Sequence, residues 1–221
     1  MEDQNALAAW ISTDELTDAI FSLRILSGLL EKAESDPLYW KWIIIILHNA
    51  LQTLMVAVLH DRYKVGSSRG DNKKKTLEKW RDLHDPTKCE KILSNDEKLK
   101  DVYMADFMDL FTNLKSQRVD GVTLDKPFEP TDVLEKGISD LNFWRNYFMH
   151  FLPGIRTLSA WEYLTLMPRC IEFAEFLTQA PGILDFRDLD KEAKESVSIL
   201  KKQIESLRRK YIEKFPQLRT I

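Results

Sequence analysis

The sequence predicts an all-α protein, an antiparallel helical bundle. Two observations predict it. Apolar residues recur at three- and four-residue steps through most of the chain, which is the period of a helix face. Glycine and proline number only seven and eight in 221 residues, too few for an all-β protein with many tight turns. At this length a single all-α domain spanning 1–221 with one sizeable core is expected.

The elements follow in order. Ser12-Thr13-Asp14-Glu15 has the S-x-x-E form of a capping box, in which hydroxyl and carboxylate satisfy the first N–H groups of a helix. Leu16, Ile20, Leu23 and Leu30 continue the pattern, so a helix is predicted over 13–34. Asp36-Pro37 then reads as an Asx cap with proline at the first helical position. The helix it opens should run to about Tyr63.

Trp42 to Leu59 is the most apolar stretch of the chain. About 18 apolar residues begin to suffice for a membrane span. His48, Asn49, Gln52 and Thr53 interrupt it, and such groups are costly in lipid without partners. The stretch is therefore read as the central helix of a bundle, buried nearly all round, and no membrane contact is expected. His48, Asn49 and Gln52 are expected on one side of it, either as a hydrogen-bonded patch that fixes packing or as support for a site.

Residues 65–72 form a loop by composition, and a weak helical pattern follows through Trp80 and Leu83. Glu97 to Arg118 returns to helix. Val119 to Pro130 is a loop holding Asp120-Gly121. Thr131 can cap the next helix, which should bury Val133, Leu134, Ile138, Leu141 and Trp144 or Phe148, and which Pro153-Gly154 should stop.

Leu158 to Leu166 suits either a helix capped by Ser159 and Glu162 or a short extended piece; Pro168 is expected to begin a helix reaching Gln179. Beyond the break at Pro181-Gly182, Leu189, Ala193, Val197, Leu200, Ile204, Leu207 and Tyr211 mark a long amphipathic helix over about 188–215. It suits the outside of the domain or a partner chain.

Composition narrows the function. Net charge is -3. Basic residues nonetheless outnumber acidic ones by ten to five between Arg62 and Lys91, and by ten to six between Arg187 and Ile221. Such faces can meet a phosphate backbone or simply be solvated. Cys89 and Cys170 stand far apart and belong to no metal-like cluster, and no basic region precedes an apolar run at the N-terminus. A reduced, cytoplasmic protein is expected. None of His48, His60, His84 or His150 has a glutamate three residues before it, which removes a di-iron carboxylate site. There is no H-E-x-x-H, no paired C-x-x-C, no G-x-G-x-x-G and no P-loop. No metal and no cofactor are expected.

What remains is Arg145-Asn146 followed by His150. An arginine can hold phosphate oxygens through two parallel hydrogen bonds and offset charge gained in a transition state. A histidine can give or take a proton near neutrality. RNA brings its own nucleophile, the 2′-hydroxyl, so such a pair needs no metal. Five steps of about 100° set Arg145 and His150 about 140° apart on an ideal helix. They converge only where the helix ends or distorts, or where a second chain completes the site. On spacing alone the pair is a common pattern, and ordinary packing accounts for it as well as chemistry does.

The wider segment LNFWRNYFMHFLPG resembles the HEPN superfamily, whose motif is R-x(4–6)-H near a helix end, often with a polar residue after the arginine. It is closer to a plasmid- and chromosome-borne bacterial branch with an L-N-x-x-R-N-x-x-x-H-F-x-P segment. Leu141, Asn142, Arg145, Asn146, His150, Phe151 and Pro153 stand in those places. The resemblance covers about 37–180 and leaves helices 13–34 and about 188–215 as additions to a HEPN-type bundle. It implies a metal-independent endoribonuclease of toxin–antitoxin or phage-defence systems. A homodimer would bring two motifs into one cleft, RNA would be the substrate, and an antitoxin protein is a possible partner. Arg145 would neutralise the scissile phosphate, His150 would act as acid/base or position phosphate, and Asn146 would orient His150 or contact RNA. Some members bind RNA, nucleotides or proteins without cleavage. The branch carries a Trp-Ser-x-Glu segment soon after the histidine; here Trp161-Glu162 comes later, which points to an insertion and leaves Glu162 without an assigned role.

Overall fold

The tertiary arrangement is taken from a computed structural model, which describes residues 15–63, 105–115, 118–119, 122–123, 128–149, 159–179 and 189–220. Six α-helices lie among these residues: α1 (Glu15–Ala33), α2 (Tyr39–Tyr63), α3 (Phe107–Lys115), α4 (Asp132–Met149), α5 (Ala160–Thr178) and α6 (Leu189–Lys214). The fold is all-α. Strand pairing among the described residues is confined to an antiparallel pair of two residues each, Arg118 opposite Thr123 and Val119 opposite Val122. That pair corrects the expected end of the third helix: the chain leaves helix at Lys115, and Arg118 is extended.

The central element is α2, because its sequence gives it no polar side to keep in water. It packs against α1, α3, α4 and α5. Ile43, Ile44, Leu47, Leu51, Leu54 and Met55 are fully buried in one continuous core. Tyr39–Leu59 is long and apolar enough to cross a membrane, and 67% of its apolar window is buried. Neighbouring helices thus take up most of the surface that lipid would otherwise cover. Its start follows the Asx-cap expectation with one shift. Asp36 Oδ1 accepts from Leu38 N–H at 2.9 Å. Pro37 sits in the turn ahead of the helix rather than at its first position.

Helix α6 lies on α1 and α5, burying Ala193, Val197, Leu200, Ile204 and Leu207. Its flanks carry ion pairs to both neighbours: Lys210 to Glu34 at 2.6 Å, and Lys201 to Glu175. These pairs are exposed, and each contributes between zero and about 1 kcal/mol. The apolar seam is what holds the helix.

Helix α5 settles the ambiguous stretch and overturns the expectation for Pro168. The helix begins at Ala160 and runs through Pro168. Ser159 is the N-cap, its Oγ accepting from Trp161 N–H at 3.2 Å. Trp161, Tyr163, Leu164, Leu166 and Met167 are all buried ahead of the proline. Tertiary burial of that first half outweighs the hydrogen bond that proline removes. Alanine at Ser159 is expected to cost about 1 kcal/mol, read as a fall of roughly 2–4 °C in melting temperature for a chain of this size.

Helix α4 is capped as expected, with Leu134 N–H donating to Thr131 Oγ1 at 3.2 Å. Its inward face is narrower than the sequence suggested. Ile138 and Leu141 are fully buried, Leu134, Trp144 and Phe148 partly so, and Val133 is 48% exposed. Gly137 marks its close approach to α5, where an added Cβ would stand 3.2 Å from Leu166 Cδ1. Several sequence expectations lie outside the described residues: the Ser12 cap, the 65–83 region, the start of the Glu97–Arg118 helix, Cys89, His150 and Pro153-Gly154.

Candidate active site on helix α4

Arg145 and Asn146 stand in the last turns of α4, and both are partly buried. Arg145 Nη1 donates to Asn146 Oδ1 at 2.8 Å. No carboxylate pairs with Arg145 among the described residues, although the exposed arginines and lysines of α1 and α6 find partners readily. A half-buried guanidinium is a group that an anionic ligand can pair with through two parallel hydrogen bonds. His150, the other half of the expected pair, lies outside the described residues.

The structure adds a second histidine. His48 of α2 is 3% exposed, and its Nε2 lies 3.2 Å from Asn142 Oδ1 on α4. Its ring stacks on Phe107 at the start of α3, with centroids 3.9 Å apart. Burial pushes its pKa from 6.5 down to about 4; the Asn142 hydrogen bond acts against that shift and the nearby Arg145 charge adds to it. His48 is therefore neutral at physiological pH. Asn142, Arg145 and Asn146 stand at i, i+3 and i+4, on one face of α4.

The polar patch expected on one side of α2 is divided between two sides. His48 serves α4 and α3. Asn49 turns to α1, where its Nδ2 donates to Asp18 Oδ2 at 3.0 Å and to Ser22 Oγ at 3.1 Å. Consecutive residues on a helix are about 100° apart, so on a helix surrounded by others they meet different neighbours. Gln52 is only partly buried.

Of the aromatics in the segment, Phe148, three positions on, shares the face of Arg145, while most of the others do not. Phe143 and Tyr147, two positions to either side, fall on the far side of α4. Phe143 is 59% exposed. Trp144 packs edge-on to Tyr163 of α5 at 6.1 Å, and Tyr163 stacks on Trp40 of α2 at 5.9 Å. These rings join three helices. A cleft of about 450 Å³ between α4 and α5 runs along that other face, lined by Lys136, Asp140, Phe143 and Glu162. Glu162 is exposed there, on the opposite side of α4 from Arg145.

No three His, Cys, Asp or Glu side chains converge on a possible metal position among the described residues. Cys170 is fully buried, and its thiol is pushed up to about 12 by desolvation, which keeps it protonated and unreactive. Sequence reading singled out His48 but did not link it to Asn142, 94 residues away. No local pattern carries that link. The chain matches no family model, no curated protein and no solved structure.

Proposed function

We propose that this protein is a metal-independent endoribonuclease of the HEPN type, acting in a toxin–antitoxin or phage-defence system of the bacterial cytoplasm. The observation that carries the reading is the segment from Leu141 to Pro153, with its L-N-x-x-R-N-x-x-x-H-F-x-P order. The all-helical fold and the guanidinium of Arg145 without a carboxylate partner among the described residues support it. In this reading the HEPN-type bundle spans about 37–180, with α1 and α6 added to it.

The mechanism follows from the residue chemistry. The RNA 2′-oxygen attacks the adjacent phosphorus, and the bond to the 5′-oxygen breaks. Arg145 offsets the charge that builds on the non-bridging oxygens. His150 acts as acid/base, taking the proton of the attacking 2′-hydroxyl or giving one to the leaving 5′-oxygen, with the other transfer made by the second copy or by water; or else it positions the phosphate while water takes the 2′-hydroxyl proton. Asn146 orients His150 or contacts RNA. The products are a 2′,3′-cyclic phosphate and a 5′-hydroxyl. A homodimer would set two such motifs across one cleft and so answer the 140° separation on a single ideal helix.

The reading is tested with purified protein and a broad panel of RNAs in EDTA. Cleavage that persists in EDTA and leaves 2′,3′-cyclic phosphate ends is the expected result. Intact RNA throughout would favour the second reading, a protein that binds RNA or a partner through the same motif without cutting. What favours that second reading is the His48–Asn142 hydrogen bond, in which one residue of the motif already holds two helices together.

A further inference from the structure

The two asparagines of α4 are oriented by different partners, with one result. Asn146 Oδ1 accepts from Arg145 Nη1. Asn142 Oδ1 faces His48 Nε2 at 3.2 Å. A neutral imidazole carries one N–H, and a ring nitrogen facing a carbonyl oxygen is the one that holds it. Nε2–H therefore donates to Asn142. Both amide oxygens are engaged, and each Nδ2 keeps two donors.

Neither Nδ2 has a protein partner among the described residues. Both side chains are only partly buried. With Arg145 between them on the same face, this part of α4 offers N–H donors while the amide acceptors face protein groups. The pairing edge of every base needs donors and acceptors mixed, and only the N7/O6 edge of guanine takes donors alone; the full charge of Arg145 between the two amides favours an anion over that neutral edge. An anionic oxygen needs donors alone.

We infer that Asn142 is a further substrate-binding residue, donating through Nδ2 to a phosphate oxygen beside Arg145 and Asn146, and that His48 is the positioning residue that holds its amide in that orientation. The inference rests on the phosphodiester reading of Arg145 and extends it. His48 suits the task because it cannot follow a turning amide: it is buried and stacked on Phe107. Because the ring is neutral and Nε2-protonated, it accepts no second orientation of Asn142 without changing tautomer.

The test uses the full chain, labelled with nitrogen-15 and titrated with inorganic phosphate, following the side-chain amide signals of Asn142 and Asn146. Both signals are expected to move together and to saturate. Asn142→Ala, which removes the donor without adding a charge, should weaken phosphate binding about tenfold, the size of one charge-assisted hydrogen bond. His48→Gln keeps an N–H toward Oδ1 and should stay within about threefold of the native affinity. His48→Phe keeps a ring but no donor, and should lose as much as Asn142→Ala; both variants lose the same hydrogen bond between helices, a few degrees of melting temperature, and stay folded at the titration temperature. That split separates orientation of the amide from folding.

Asn142 signals that stay still while those of Asn146 move would overturn the inference and leave the reading of Arg145 intact. Equal phosphate affinity in native protein and His48→Phe would overturn the positioning role. Silence at both asparagines would end the inference outright, and RNA cleavage, measured separately, then decides the nuclease reading by itself.

Discussion

Alanine at Arg145 is expected to lower RNA cleavage by about 10²–10³-fold or more, with little loss of fold stability. Removal of one preorganised donor from a developing oxyanion costs about that much in turnover, and a guanidinium contributes charge as well as donors. Stability should change little because the hydrogen bond that Arg145 makes among the described residues is to its neighbour Asn146. No other helix among the described residues loses a hydrogen-bond partner there, and substitutions away from such contacts are usually within about 0.5 kcal/mol. His150→Ala should be equally damaging if that residue carries the proton. Arg145→Lys is informative because it keeps the charge and loses the planar fork. Cleavage by Arg145→Lys as low as that of Arg145→Ala would show that geometry, rather than charge alone, is what the phosphate needs. Full cleavage by both alanine variants would end the catalytic assignment.

A second large effect is expected on acidification. His48 has its pKa lowered from 6.5 to about 4, chiefly by burial. A lowered pKa means that the unfolded chain binds the proton more readily than the folded one. Stability from the neutral ring is therefore complete above the unfolded value near 6.5. It falls as pH drops through the window down to about 4, where the folded state also takes up the proton. The whole difference is about 3 kcal/mol, of which about 2 kcal/mol should be lost between pH 7 and pH 5.

The measurement is a set of urea or thermal unfolding curves at pH 7, 6 and 5, for native protein and for His48→Phe. Phenylalanine fills a similar space beside Phe107 and does not titrate in this window. The variant should show a shallower fall than the native chain. Parallel curves would mean that His48 is not the group that acid must charge. The two predictions are linked, because the Arg145 charge also lowers the His48 pKa. In Arg145→Ala the ring should titrate slightly higher, and nuclear magnetic resonance of the imidazole reads this directly.

The parts of the fold that were legible in the sequence share one property: their information is local. The apolar run of α2, the seam of α6 at three- and four-residue steps, and the Asp36 and Thr131 caps each depend on residues within a turn or two of one another. The errors arose where a local rule met distant packing. Pro168 reads locally as a helix start, yet burial of Trp161 to Met167 carries the helix through it. Val133 fits the period of a buried face, yet α4 leaves it exposed at the helix end.

For the site the division is the same. Arg145 and Asn146 were readable as a pair because they are adjacent and belong to a recognisable segment. The sequence by itself determined the helical class, the caps at Asp36 and Thr131, the apolar centre of α2 and the chemistry available on α4. Only the tertiary structure decided that His48 faces Asn142 while Asn49 faces Asp18. It also decided that Arg145 has no carboxylate beside it among the described residues, and that Trp144 packs on Tyr163 of α5. The physical reason is that a helix period specifies which residues share a face, but not which neighbour that face will meet. Desolvation, hydrogen-bond partners and pKa belong to the neighbour, and they come into being only when the helices pack.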